Sequence, residues 1–265
     1  MIANTTLFSN ALKTNVNINF FIPTPEGQEQ ITDSAVQQKY NYEKGLPVVY
    51  LLHGAFGNYN SWLRFSCVER YAQKYGCVLV MASAENSFYH DMSRGNSYYT
   101  FFSKELPALV QSILPVSRRR EDTYIAGFSM GGYGSWYIAL NNPQNYCKAA
   151  SLSGALDVPL LYELNKSGKD NHPIEWENIF GNPENLRGSS SDLLALYDKN
   201  ADASALPALY QSCGTEDALL GMNRGIRDEL AKRGANLVYE ESAGGHDWDF
   251  WDSNIRRVLA WMFGK

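Results

Sequence analysis

The run Gly127-Phe128-Ser129-Met130-Gly131-Gly132 is the segment of this chain best suited to chemistry. A serine hydroxyl attacks a carbonyl when a base takes its proton and the oxygen stands clear of the backbone. The pattern G-x-S-x-G meets the second need by holding serine on a sharp strand-to-helix turn. Small residues two positions to either side let that turn close. The helix that follows points its positive N-terminal end at the site, which favours a developing anion. Chance gives the pattern in about one chain in ten of this length, so context decides. Here Thr123-Tyr124-Ile125-Ala126 leads in as a β-run, and Gly132, Gly134 and Ser135 lead out on a helix able to pack closely on a sheet. A glycine-rich structural turn is the plainer reading, and the partners downstream argue against it.

On such turns the acid and the base follow the serine in that order. Of four histidines, only His172 and His246 come after Ser129. His172 precedes the strands that should carry the acid. His246 follows the last strand in Ala243-Gly244-Gly245-His246, a loop able to present an imidazole to the serine. His246 is therefore the expected base. The preceding strand ends in Cys213-Gly214-Thr215-Glu216-Asp217. Asp217 is the expected acid and Glu216 its rival; Asp198 and Asp202 come before the strand. The acid would hold the imidazole in one tautomer and stabilise its charged form.

A tetrahedral oxyanion needs two N–H donors. Met130, directly after the serine, is one. The other belongs in His53-Gly54-Ala55-Phe56-Gly57, where Ala55 is the first choice and Phe56 the second. Each lost donor typically costs about 100- to 1,000-fold in rate. His53 reads as a brace for this loop. Metal binding by His53, or by His246 with Asp247, Asp249 and Asp252, lacks ligand spacing such as H-E-x-x-H, so neither metal nor cofactor is expected. Phe56, Trp62, Phe88, Tyr89, Trp176, Trp248 and Trp251 crowd the same loops. Core packing accounts for about half of them, and the expected pocket set is Phe56, Trp62, Phe88, Trp176, Trp248 and Trp251.

These residues need a frame. From Leu46 onward short apolar strands alternate with amphipathic helices, the rhythm of a mostly parallel sheet flanked by helices. Pro47–Leu52 and Cys77–Ala82 read as strands buried on both faces. Ser61–Tyr75 reads as one helix, and Tyr98–Ile113 as another that Pro107 interrupts. Strands are expected over Asp122–Ala126, Tyr146–Ser153, Leu206–Cys213 and Asn236–Glu241. Helices are expected over Gly131–Leu140, Leu219–Arg233 and Asp247–Phe263. Val16, Ile18, Phe20 and Ile22 alternate in twos, which suggests antiparallel strands at one edge. Glu26–Lys44 reads as a polar surface excursion. Asp157–Ala205 breaks the rhythm and reads as an irregular cap over the site, within a single domain spanning residues 1–265.

The 265 residues carry a net charge of -5, with 45% hydrophobic and 19% charged side chains. Arg118-Arg119-Arg120 is the longest basic run and reads as a solvated corner, so no nucleic-acid partner is expected. No apolar run is long enough to cross a bilayer. Met1–Val16 lacks the marks of a signal peptide, and four scattered cysteines read as reduced thiols. The expected setting is cytoplasmic, the partner a small-molecule ester, and self-association into a homo-oligomer is left open.

The chain resembles the esterase D-like branch of α/β-hydrolases, and within it the bacterial tributyrin esterases. The resemblance rests on Tyr50-Leu51-Leu52-His53-Gly54, Gly57-Asn58-Tyr59-Asn60-Ser61-Trp62, Asn86-Ser87-Phe88-Tyr89 and Gly127 to Gly134. It continues through Ser153-Gly154-Ala155-Leu156-Asp157, Cys213 to Asp217 and Gly244 to Trp251. It implies an α/β-hydrolase fold, a Ser129–His246–Asp217 triad and hydrolysis of short-chain acyl esters, with acetyl and feruloyl esters cleaved by related members. S-Formylglutathione hydrolases usually carry a Ser-Gly-Leu-Thr-Cys type loop where this chain has His53-Gly54-Ala55-Phe56. Mycolyltransferases share the serine turn but are secreted. An acyltransferase using the same triad and a non-catalytic binding protein on this fold are the rival readings.

Overall fold

Val48–Leu52, Val78–Ala82 and Thr123–Phe128 are buried at every position, as strands covered on both faces must be. Alternate side chains serve opposite layers: Val48, Tyr50 and Leu52 enter one apolar cluster, Val49 and Leu51 the other. The computed structural model describes residues 1–27, 39–200 and 206–264. The polar excursion expected over Glu26–Lys44 lies largely outside the described residues, as does the end of the segment Asp157–Ala205.

Eight strands form one sheet. They are β1 (Ile2–Ser9), β2 (Thr14–Phe21), β3 (Val48–Leu52), β4 (Val78–Ala82), β5 (Thr123–Phe128), β6 (Lys148–Leu152), β7 (Ala208–Gly214) and β8 (Leu237–Ser242). Their spatial order is β1-β2-β4-β3-β5-β6-β7-β8. The six strands from β4 to β8 in that order pair in parallel, and β2 runs antiparallel between β1 and β4. The chain leaves β3 for β4 on one side, then crosses back to β5 on the other. The loops after β3 and β5 therefore diverge and open a crevice at the carboxyl edge, where open α/β sheets bind ligands.

The helices are α1 (Ser61–Phe65), α2 (Val68–Tyr75), α3 (Tyr98–Thr100, continued by a π-helical turn Phe101–Glu105 and by Leu106–Ile113) and α4 (Met130–Asn141). There follow α5 (Val158–Lys166), α6 (Trp176–Phe180), α7 (Leu193–Lys199), α8 (Leu220–Lys232) and α9 (Trp248–Phe263). One face of the sheet packs side chains of α1, α2 and α9; the other packs α3, α4 and α8. Helix α4 is buried from Met130 to Leu140, because the sheet lies beneath it and α7 above.

Two expectations are corrected. The helix read over Ser61–Tyr75 breaks at Ser66-Cys67. There the Ser66 hydroxyl donates to the Trp62 carbonyl at 2.6 Å and the Cys67 N–H donates to Asp252 Oδ1 at 2.7 Å, offering backbone groups partners outside a helix. The interruption expected at Pro107 takes the form of a π-helical turn over Phe101–Glu105, after which Pro107 stands at the start of the segment Leu106–Ile113, where a missing N–H is tolerated. The segment read as irregular carries α5, α6, a 3-10 turn (Pro183–Asn185) and α7 within residues 157–200, with irregular stretches between them. Tyr133 of α4 pins them: its hydroxyl donates to the Ser191 carbonyl at 2.8 Å and meets His90 Nε2 at 2.8 Å. Among the described residues no helix is long and apolar enough to cross a membrane.

Candidate active site

Ser129 sits between β5 and α4 with φ 54° and ψ -122°, a left-handed conformation rare outside glycine. Such strain persists only where the surroundings over-determine it. Here they do. The Ser129 N–H donates to the Leu152 carbonyl at 2.9 Å, and the Gly132 N–H returns to the Ser129 carbonyl at 2.9 Å. A Cβ on Gly127 would lie 2.2 Å from the Gly131 oxygen, and one on Gly131 would lie 2.5 Å from the Leu52 oxygen. The turn closes only because neither side chain exists.

The Ser129 hydroxyl oxygen lies 2.9 Å from His246 Nε2, and His246 Nδ1 lies 2.9 Å from Asp217 Oδ2. The other oxygen of Asp217 accepts the Leu219 N–H at 2.8 Å. Burial raises the Asp217 pKa. The His246 bond and charge, the Leu219 N–H and the neighbouring Ser153 hydroxyl outweigh burial and hold the carboxyl below its ordinary value. The carboxylate is fully covered, while the imidazole is a third exposed. Glu216, the rival acid, points elsewhere. It accepts the Gly244 N–H at 2.6 Å and the Thr215 hydroxyl at 2.9 Å, and so anchors the loop that carries His246. That loop lies so close to β7 that a Cβ on Gly214 would meet the Gly244 oxygen at 2.1 Å.

Met130 is the first residue of α4, where an N–H has no partner within the helix. Across the crevice the Phe56 N–H is occupied by Asn86 Oδ1 at 2.8 Å, which leaves Ala55 as the better donor of the pair considered. Both Ala55 and Met130 border the same cavity as Ser129 and His246. His53 braces the loop. Its Nε2 accepts the Ala84 N–H at 2.8 Å, so Nδ1 carries the proton and donates to the Gly54 carbonyl at 2.7 Å. Burial lowers its pKa to about 4, so the ring stays neutral.

The cavity holds about 300 Å³. Phe56, Phe88, Met130, Ala155, Leu161 and Leu164 give it apolar walls, and Lys169, Asp170, His172, Pro173 and Ile174 form its rim. The other four expected rings do not border it. Trp62 is buried on the opposite face, its Nε1–H donating to the Leu52 carbonyl at 3.0 Å and its ring packed on Phe128 and Trp248. Trp248 stays in that layer. Trp251 stands edge-on to His246 with ring centres 5.1 Å apart, and so braces the imidazole from behind. Trp176 stacks behind Phe88 at 6.3 Å and supports that wall. Tyr89 is buried, its hydroxyl donating to the His53 carbonyl at 2.8 Å. His172, set aside from sequence, does reach the rim, where its Nδ1 meets Asp170 Oδ1 at 2.5 Å. A lone histidine in a segment of weak periodicity carries no signal of that placement. Among the described residues no group of three or more His, Cys, Asp or Glu is arranged to hold a metal.

Sheet order, nucleophile turn and crevice define an α/β-hydrolase. The Esterase family model matches residues 9–262, and the chain belongs to that family. It is 32% identical over 259 residues to an acetyl esterase of Caldicellulosiruptor saccharolyticus, covering 96% of this chain and 95% of that protein. Two solved structures from Staphylococcus aureus superpose along nearly their whole length. FphF, a fluorophosphonate-binding serine hydrolase solved with substrate bound, is 29% identical with a TM-score of 0.87, covering 100% of this chain and 99% of that one. The S-formylglutathione hydrolase FrmB, an apoenzyme, is 30% identical with a TM-score of 0.81, covering 99% of each chain. The protein is a carboxylic ester hydrolase.

Proposed function

We propose that the chain hydrolyses short-chain carboxylic esters through an acyl-enzyme on Ser129. The observation that carries this reading is the unbroken run from the Ser129 oxygen through both nitrogens of His246 to Asp217, with two contacts of 2.9 Å each. His246 Nε2 takes the hydroxyl proton as the oxygen attacks the ester carbonyl. Asp217 keeps the Nδ1 proton in place and stabilises the imidazolium. The Ala55 and Met130 N–H groups receive the oxyanion. His246 then returns its proton to the leaving alcohol, the acyl group remains on Ser129, and water activated by the same imidazole releases the acid.

Apolar walls suit the acyl chain of an ester, and the acetyl esterase relative points to a short one. Acetyl to butyryl esters are the substrates this reading selects. A p-nitrophenyl ester series tests it, with kcat/KM expected to peak between two and four acyl carbons. A peak at eight carbons or more overturns the short-chain preference. Product analysis in the presence of an alcohol acceptor is expected to give mainly free acid; dominant transfer to the alcohol would make the enzyme an acyltransferase.

A further inference from the structure

At the amino edge of the sheet, away from Ser129, a second cavity of about 270 Å³ lies between α3 and the segment leading into β5. Lys104, Arg118 and Arg120 line it, and none of the described lining residues is acidic. This runs against a net charge of -5. The three consecutive arginines divide their work. Arg119 turns out to pair with Asp122 at 2.6 Å, while Arg118 and Arg120 face the cavity. Arg120 is held in place by the Pro143 and Leu206 carbonyls at 2.8 and 3.3 Å. Lys104 and Arg118 have no ion-pair or hydrogen-bond partner among the described residues.

The neutral groups at this cavity are donors too. Ser103 is only 4% exposed, yet its hydroxyl has no partner among the described residues. An unpaired buried hydroxyl costs free energy unless something occupies it. Ser103 and Lys104 are set on the π-helical turn of α3, a distortion frequent at functional sites. Tyr50 and Tyr146 are buried against the same space, and neither hydroxyl has a hydrogen-bond partner among the described residues. Burial raises both phenol pKa values, so each stays a neutral donor.

Cations, hydroxyl donors and no carboxylate among the described lining residues suit a tetrahedral oxyanion, because each of its oxygens accepts several hydrogen bonds. We propose that this cavity is a binding site for a phosphoryl group, free or carried on a small metabolite, separate from the ester site. The proposal stands on residues the ester chemistry does not use.

Isothermal titration of the full chain tests it, with inorganic phosphate and glycerol 3-phosphate as the two probes and acetate as the control. The Ser129→Ala protein serves as background, so that occupation of the ester site is kept apart. Phosphate or its ester is expected to bind with one-to-one stoichiometry and acetate at least tenfold more weakly. Whichever phosphate probe binds tighter identifies the source of the group. Arg118→Ser should raise Kd at least tenfold and leave p-nitrophenyl acetate hydrolysis unchanged in otherwise wild-type protein. Arg119→Ser removes the same charge outside the cavity and should change Kd less than twofold. Equal weakening by both substitutions, equal binding of acetate, or no binding by either phosphate probe would overturn the site.

Discussion

Two neighbouring carboxylates have opposite duties. Asp217 bonds the imidazole, and Glu216 bonds the loop that carries it. Asp217→Asn keeps the shape but offers a donor where an acceptor is needed, so it favours the wrong tautomer. It should lower kcat about 10⁴-fold. Glu216→Gln should lower it less than about tenfold, since the amide oxygen can still accept the Gly244 N–H. Steady-state kinetics on p-nitrophenyl acetate measures both, and reversal of the two effects would exchange the roles. Sequence led to Ser129, Asp217 and His246 as a set because each lies at a strand end whose order along the chain is fixed. It led to Ala55 and Met130 by the same route. It did not show which aromatics border the cavity. Trp62 and Phe56 stand six residues apart after β3, yet one lies under the sheet and the other at the mouth. That difference is set by tertiary packing, and nothing in local spacing encodes it.

Among the elements, the β5–α4 turn leaves no room for added atoms at its two glycines. Gly131→Ala would drive a methyl into the Leu52 and His53 carbonyl oxygens, 2.5 and 2.6 Å away. It should destabilise the fold by about 3 kcal/mol in urea denaturation. Gly221→Ala in α8 meets nothing within 4 Å and should stabilise it by about 0.5–1 kcal/mol, since glycine is a poor helix former. A second test lies where α8 meets β8. Arg224 grips Glu241 with two bonds of 2.8 and 2.7 Å, and with Tyr239 it lowers that carboxyl from 4.5 to about 2. A folded-state value below the unfolded one stabilises the protein above the unfolded pKa. That contribution fades as pH falls from about 4.5 to about 2. The stability gap between wild type and Glu241→Gln should therefore be largest near neutrality and close across that interval. A gap independent of pH would mean that the pair contributes nothing through charge. Most strands and helices were legible from apolar runs and periodicity. The break at Ser66-Cys67 was not, because its cause is Asp252, 185 residues away. The helices of residues 158–199 were obscured by Pro159, Pro173 and Pro183, which begin or punctuate short elements there.

For the molecule as a whole, two apolar layers clamp a mostly parallel sheet and leave its carboxyl edge to chemistry. The strained serine turn after β5, the loop after β3 and the loop that carries His246 border one cavity there. No one segment makes the site, and the fold assembles it. The most direct test of that assembly is intact-protein mass spectrometry after treatment with a fluorophosphonate probe, followed by peptide mapping. The native chain should gain one probe mass, located on Ser129, and the gain should vanish in Ser129→Ala and on unfolding in urea. A folded native chain that gains no mass, or carries the probe on another serine, would contradict the account.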